Sequence, residues 1–384
     1  MKFELKKEEA RMSSTYPQTF VNGRPSRLTT VFMGLGLACA LCCSSRAVAQ
    51  QVPGGSNSPI FYPGPPAGFD PVGASDQELA LYGFPPRPDQ SQPTLYAHWQ
   101  KVVNPSVTRL TNLPVQATNI INGTSLGRRD QGAVGNTTAT TSNNWSGYAV
   151  TAANGTFRAN NSFVIAEWMV PAVGRDNCSY APYAASQWVG FDGFGSADVL
   201  QAGTAITACG SSYVAWYEWF TSGCTGSSGS LPCYQTNVSI PISPGDLVTT
   251  EVWYTTAAPN GHAYIVNYTT QQSTSVGFNQ PSGSPGSAYV GNSAEWVVER
   301  PGLVGLGLEN LANYLTVPMN FAYAYNGSSY YYPSSSPSGT TIYNITMTCP
   351  PWNPSSACSF TGLSYALLSG TYTLWFADEG AAEQ

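Results

Sequence analysis

From Trp145 onward the chain is built of short runs rich in β-branched and aromatic residues, divided by clusters of Gly, Pro, Ser and Asn. Runs of this kind read as strands. They are expected at 145–150, 157–170, 185–191, 199–206, 213–220, 247–254, 262–269, 294–299, 316–325, 340–348 and 365–376. So many strands, with no repeat of fixed period, predict an all-β protein of two packed antiparallel sheets rather than a propeller or β-helix.

The period of two along a strand then sorts polar positions by face. In Ala294-Glu295-Trp296-Val297-Val298-Glu299, residues 295, 297 and 299 project one way and Trp296 and Val298 the other, so Glu299 ends a largely apolar strand. Glu218 shares its face with the aromatic rings of Trp216 and Phe220, where an unpaired carboxylate is costly. Gln201 is a lone polar residue in Val199-Leu200-Gln201-Ala202-Gly203, and Trp188 and Asp192 share a face of the run 187–192. Each alone reads as a satisfied polar group. Their concentration between 188 and 299 points to a site.

The front of the chain is different. Residues 1–49 read as an export signal: basic residues through Arg27, an apolar run over 28–43, and Ala47-Val48-Ala49 as a cleavage site. That run falls short of the roughly 20 residues a membrane span requires. Residues 50–118 hold twelve of the 29 prolines, which excludes a sheet core there. One helix is expected at 95–103, carrying Trp99 and Lys101, and the pair Arg128-Arg129 marks a candidate processing point. Residues 50–135 therefore read as a propeptide or N-terminal extension, and 136–384 as the globular domain.

Charge and cysteine usage narrow the setting. From Asn136 onward there is no Lys, and three arginines face thirteen acidic residues. Acid discharges such a surface without building a large positive charge, so the self-repulsion that drives acid unfolding stays small. With no basic patch, nucleic acid is excluded as a partner. Beyond the signal remain Cys178, Cys209, Cys224, Cys233, Cys349 and Cys358, an even number that suits disulfides in an oxidising compartment. Cys224 with Cys233 and Cys349 with Cys358 would close short loops, leaving Cys178 with Cys209, but spacing alone does not fix connectivity. Without a CxxC pair and with few histidines, no metal cluster is expected.

Elimination is effective here. Of two histidines, His98 lies in the extension and His262 in the turn Asn260-Gly261-His262, so no histidine triad or zinc site is expected. The GxSxG match at 123–127 precedes the globular part and lacks a strand-turn-helix setting. There is no Asp-Thr-Gly or Asp-Ser-Gly, and no GxGxxG follows a strand. Carboxylates and amides remain.

Six segments, Asn144-Trp145-Ser146-Gly147, Trp188-Val189-Gly190-Phe191-Asp192-Gly193, Leu200-Gln201-Ala202-Gly203, Ala215-Trp216-Tyr217-Glu218-Trp219, Ser243-Pro244-Gly245-Asp246 and Ala294-Glu295-Trp296-Val297-Val298-Glu299, occur in this order. In this the chain resembles the glutamic peptidases, or eqolisins, over about residues 143–301. The resemblance implies a concanavalin-like, jelly-roll β-sandwich. It also implies a secreted, acid-active endopeptidase made as a proprotein, with Glu299 as general base and acid and Gln201 as oxyanion donor. Trp145, Trp188, Asp192 and Glu218 would line the substrate groove. Phe220 stands where many fungal relatives carry Tyr. Lys101 would cap the catalytic carboxylate in the zymogen. Protein or peptide substrates, a monomer, no cofactor and no membrane insertion after processing follow from the same reading. The alternatives are a glycoside hydrolase using Glu218 and Glu299, or a carbohydrate-binding module on a similar sandwich.

Overall fold

The structure, a computed structural model, describes residues 59–378 apart from 105, 112, 135, 175–182, 209–211, 222–223, 225–232, 282–288 and 349–363. The expected export signal and Cys178, Cys209, Cys349 and Cys358 lie outside the described residues. The principal strands are β1 (Thr137–Ser142), β2 (Trp145–Thr151), β3 (Ser162–Met169), β4 (Tyr183–Phe191), β5 (Asp198–Thr207), β6 (Ser212–Thr221), β7 (Thr236–Val238), β8 (Leu247–Tyr254), β9 (Gly261–Asn267), β10 (Gln272–Phe278), β11 (Ser293–Glu299), β12 (Thr316–Tyr325), β13 (Thr341–Met347), β14 (Ser364–Leu368) and β15 (Leu374–Asp378).

They form a two-layer β-sandwich. One layer, the site sheet, runs β7-β6-β5-β4-β11-β2-β13-β1, with every neighbour antiparallel except the last pair. The back sheet runs β15-β12-β3-β8-β9-β10. β14 joins the two at one edge, pairing with β13 and β15. The run expected at 365–376 is thus a hairpin, turned at Gly370, whose φ of 89° suits glycine. β10 escapes a hydrophobic reading because Gln272-Ser273-Thr274-Ser275 is polar, yet Ser273, Thr274 and Ser275 are buried.

Between the layers lies one apolar core. Val189, Leu200, Trp219 and Trp296 of the site sheet pack with Val164, Trp168, Val252 and Ile265 of the back sheet. Two buried indoles satisfy their N–H groups across it: Trp296 donates to the Ile165 carbonyl and Trp168 to Thr204 Oγ1, each at 3.0 Å. The close approach of β2 to β11 requires Gly147, whose φ is 142° and where a Cβ would stand 2.1 Å from the Trp296 carbonyl oxygen. Gly147→Ala is expected to lose about 3 kcal/mol or more, read as a lower urea midpoint at unchanged slope. Stability within 1 kcal/mol of the parent would refute this account of the contact. The Cys224–Cys233 disulfide closes the loop between β6 and β7.

The Pro-rich extension is folded against both layers. The helix Pro93–Val102 starts on a proline and buries Leu95, His98, Trp99 and Val102, an i, i+3, i+4, i+7 face. That face, with Leu79 and Phe84, covers Phe163, Ile165, Trp253 and Tyr264 on the outer side of the back sheet. Lys101 sits three residues beyond His98 on the same helix. Its ammonium meets Glu167 Oε2 at 2.6 Å and lies 4.2 Å from the Tyr268 ring centroid. Glu167, adjacent to outward-facing Ile165 at the period of two, belongs to the back sheet. Lys101 therefore does not cap Glu299, because its helix is docked on the opposite layer. Prolines keep the extension out of sheet interiors, but it supplies short edge pairings: Ile60–Phe61 on β10 and Val115–Ala117 on β7. From that second edge the chain crosses onto the outer face of the site sheet.

Candidate active site

The outer face of the site sheet is lined by Trp145, Trp188, Val199, Trp216 and Val297. The alternation along β11 puts Trp296 and Val298 in the inter-sheet core and Val297 on this face with Glu299. Glu299 is fully buried and pairs in register with Trp145 and Ser186. Its Oε2 accepts the Trp188 indole N–H at 2.9 Å, and its Oε1 accepts Asn144 Nδ2 at 3.0 Å and the Gly123 backbone N–H at 3.2 Å. The Asn144 amide has a fixed orientation, since its Oδ1 accepts the Leu126 N–H at 2.8 Å and the Ser142 hydroxyl at 3.0 Å. Burial raises Glu299 well above the ordinary carboxylate range, against the hydrogen bonds from Asn144, Trp188 and Gly123.

Gln201 is equally buried and lies in register between Gly190 and Glu218. Gly190 leaves room for it, because a Cβ there would stand 2.9 Å from Gln201 Cβ. Gln201 Nε2 donates to the Asn122 carbonyl and lies 3.4 Å from Glu218 Oε2. Glu218 Oε2 accepts the Asn122 backbone N–H at 3.0 Å and its Nδ2 at 3.2 Å, and burial raises its pKa well above the ordinary range. Trp145 stacks edge-on to Trp188 at 4.9 Å and donates its indole N–H to the Gly123 carbonyl at 3.1 Å. The Phe220 ring lies beside Gly123.

These residues therefore converge on one stretch of backbone from the extension. On one side, Thr118 N–H donates to Gln235 O and Gln235 N–H to Ile120 O; on the other, Val304 N–H donates to Asn119 O, and Ile120–Ile121 pairs with Gly302–Leu303. Further along, Ser125 N–H reaches Gly193 O at 3.2 Å. The segment 118–126 thus lies across the site in the manner of an added strand.

Asp192 is not brought to this group. It has a positive φ of 69°, and its carboxylate accepts the backbone N–H groups of Val290, Gly291 and Asn292, each at 2.8 Å, clamping the turn that leads into β11. Asp198 is buried near it with Oδ1 unpartnered; burial and the Asp192 charge push it up to about 8. His262 is buried and stacked on Trp253 at 4.9 Å, with Nδ1 on the Tyr62 hydroxyl and Nε2 on Thr255 Oγ1. Burial lowers its pKa to about 3.

Sequence reasoning passes over Asn122, Gln235 and Asn144 as individual contributors. Asn122 Nδ2 bonds Gln235 Oε1 at 2.9 Å across 113 positions, a pairing that no local pattern announces. Asn144 does open one of the quoted segments, and that was its only signal. The GxSxG stretch at 123–127, which lacks a strand-turn-helix setting, contributes backbone to the strand-like segment in the site.

Residues 143–362 match the family model described as the peptidase A4 family. Among solved structures, the chain is similar to scytalido-glutamic peptidase crystallised with a peptide-based transition state analog, at 22% identity and a TM-score of 0.43, over 62% of this chain and 98% of that one. It is also similar to aspergilloglutamic peptidase from Aspergillus niger, at 28% identity and a TM-score of 0.37, over 51% and 99% of the two chains. No curated protein sequence matches it significantly.

Proposed function

Since the chain belongs to the peptidase A4 family and is a glutamic endopeptidase, we propose that Glu299 and Gln201 form its catalytic dyad. One observation carries this reading: the two side chains engage the two ends of a single peptide unit. Gln201 Nε2 donates to the carbonyl of Asn122, and Glu299 Oε1 accepts the N–H of Gly123, the other half of the same amide. The Asn122–Gly123 unit stands in for the scissile amide of a substrate.

With the extension withdrawn, water reaches the carboxyl and the burial that raises it is relieved, so that with a substrate in that position the Glu299 carboxylate takes a proton from water as the water oxygen attacks the carbonyl carbon. Gln201 Nε2 donates to the oxyanion that develops, a neutral donor whose capacity does not change in acid. Glu299 then passes its proton to the amide nitrogen as the C–N bond breaks. Hydrolysis of this kind needs water and no cofactor. Trp188 and Asn144 hold the base in place. Trp145, Phe220 and Glu218 would bind the substrate backbone and the side chains beside the cleaved bond, whereas Asp192 would support the site through the 290–292 turn. Protein and peptide substrates, export by the signal at 1–49 and latency supplied by 50–135 complete the proposal.

Asn144→Ala removes a donor to the carboxylate, so the Glu299 pKa rises and the acid limb of the kcat/KM profile moves to higher pH. A loss of roughly tenfold in kcat/KM is expected. An unshifted limb would remove Asn144 from this role. The assignment as a whole is tested by nicking the precursor with trypsin at Arg128-Arg129, both exposed, acidifying it, and assaying a denatured protein substrate. The expected result is digestion that requires Glu299. Digestion of equal rate by a Glu299→Gln protein would end the proposal.

A further inference from the structure

The side chain carried on the carbonyl side of the amide held by Gln201 and Glu299 is that of Asn122, and it is fully buried. Its Nδ2 donates to Gln235 Oε1 at 2.9 Å and to Glu218 Oε2 at 3.2 Å. A carboxamide nitrogen has two N–H bonds, so both are used. Gln235 is fixed as an acceptor toward Asn122, because its own Nε2 donates to Asn237 Oδ1 at 2.8 Å. Its backbone is held as well. The Gln235 N–H donates to the Ile120 carbonyl at 3.0 Å, its carbonyl accepts the Thr118 N–H at 3.1 Å, and the Cys224–Cys233 disulfide ties down the loop that leads into it. Asn122 Oδ1, by contrast, has no hydrogen-bond partner among the described residues. The pocket therefore reads the donor half of the side chain and leaves the acceptor half alone.

We propose that Gln235 is a specificity-determining residue, which together with Glu218 selects substrates whose residue on the carbonyl side of the cleaved bond has a short, donor-bearing side chain, asparagine first. The inference rests on the dyad assigned above, since that assignment makes Asn122 the residue on the carbonyl side. Asparagine meets two acceptors with two donors. Leucine has nearly the same shape and no donor, so it leaves Gln235 Oε1 buried and unpaired. Glutamine carries the same group one methylene further out, where it no longer fits a closed pocket in register. An ionised aspartate offers only acceptors to acceptors and is rejected, whereas a protonated one brings an O–H and is admitted. Acid then widens the range of substrates by titrating the substrate itself.

The test is the kcat/KM of the trypsin-opened enzyme on quenched peptides Ile-Ile-X-Gly-Thr-Ser, which copy residues 120–125 with X as Asn, Gln, Asp or Leu in place of Asn122. Asn is expected to exceed Leu by about tenfold or more. The ratio of Asn to Asp should rise about tenfold between about pH 3 and about pH 5, as a side chain with a reference pKa of about 3.9 gives up its proton. Taking the ratio cancels the enzyme's own pH dependence. Gln235→Leu should reverse the order of Asn and Leu. Equal rates on the four peptides, or a folded Gln235→Leu enzyme that keeps the parent's order, overturns the proposal; the peptide series on the parent enzyme decides even where that variant does not fold. Cleavage that requires Glu299 but ignores X fails the pocket and leaves the dyad standing. Cleavage of no peptide, or cleavage that persists at the parent rate in Glu299→Gln, fails the dyad and the inference with it.

Discussion

Glu299→Gln is expected to lower kcat on an internally quenched peptide by about 10⁴-fold, with KM changed little, because general acid–base catalysis contributes about 10²–10⁴ and in the proposed dyad one residue serves as both base and acid. The substitution keeps the shape of the side chain and one acceptor oxygen. It cannot take the proton from water, and its amide nitrogen would face a donor, either Trp188 Nε1 or Asn144 Nδ2. Gln201→Ala is expected to cost about 10²–10³ in kcat, as for loss of one oxyanion donor. In the proposed dyad the two groups act on opposite ends of one amide, so the double variant should lose much less than the product of the single losses. The measurement is steady-state kinetics in acid on trypsin-opened protein, with near-ultraviolet circular dichroism to confirm folding. If Glu299→Gln kept more than a tenth of the parent kcat, another base would have to be sought.

The second large effect is on stability, which is expected to be greatest in acid and to fall steeply above neutrality. Burial pushes Asp192 up to about 6 and Glu309 to about 7, and burial with the Asp192 charge pushes Asp198 to about 8. Burial also raises Glu218, Glu251, Glu295 and Glu299 well above the ordinary range. In the unfolded chain all of them titrate near about 4. A carboxyl that keeps its proton longer when folded gives its full stabilisation below that value and loses it as pH rises through its folded value. Each contributes a slope of about 1.4 kcal/mol per pH unit over that window. Groups held below their ordinary values oppose them on the acid side: His98 through burial, Glu78 and Asp89 through hydrogen bonds from Ser75 and Ser91, and two more. His262, lowered to about 3 by burial, loses stabilisation as pH falls from about 6.5. Glu167 is held below its ordinary value by hydrogen bonds from His98 and Lys101 despite burial, and does the same as it protonates. Above about pH 6.5 none of these acts, so the melting temperature should drop with every step from pH 6.5 to 8. A flat or rising melting temperature in scanning calorimetry over that interval would sink the argument.

How much of this was legible depended on whether the controlling forces were local. Strands 247–254 and 316–325 read at their observed limits, since their side chains meet a sheet on one side and a core on the other and alternate accordingly. β10 did not, because its polar side chains are satisfied from a distance, Ser275 by the Gly83 carbonyl and Thr274 by that of Leu110. The face shared by Val297 and Glu299 followed from alternation alone. What lay across that face did not follow. Gly123 reaches Glu299 over 176 positions, and the residues that bring it there are ordinary Asn, Gln and Ile whose roles exist only in the folded chain. The lysine expected over the carboxylate shows the same limit: a charge can be read from sequence, but the layer on which its helix docks cannot.

The segment in the site is anchored on both sides. Upstream, Trp99 and its neighbours hold the extension on the back sheet; downstream, β1 is paired into the site sheet. Tethering sets its effective concentration in the millimolar range, typical of short connections. A free peptide at micromolar levels therefore competes against a rival about a thousandfold more concentrated, however weak the segment's own contacts. Under the proposed latency, no tight inhibitor is then needed, only an intact backbone on both sides of the site.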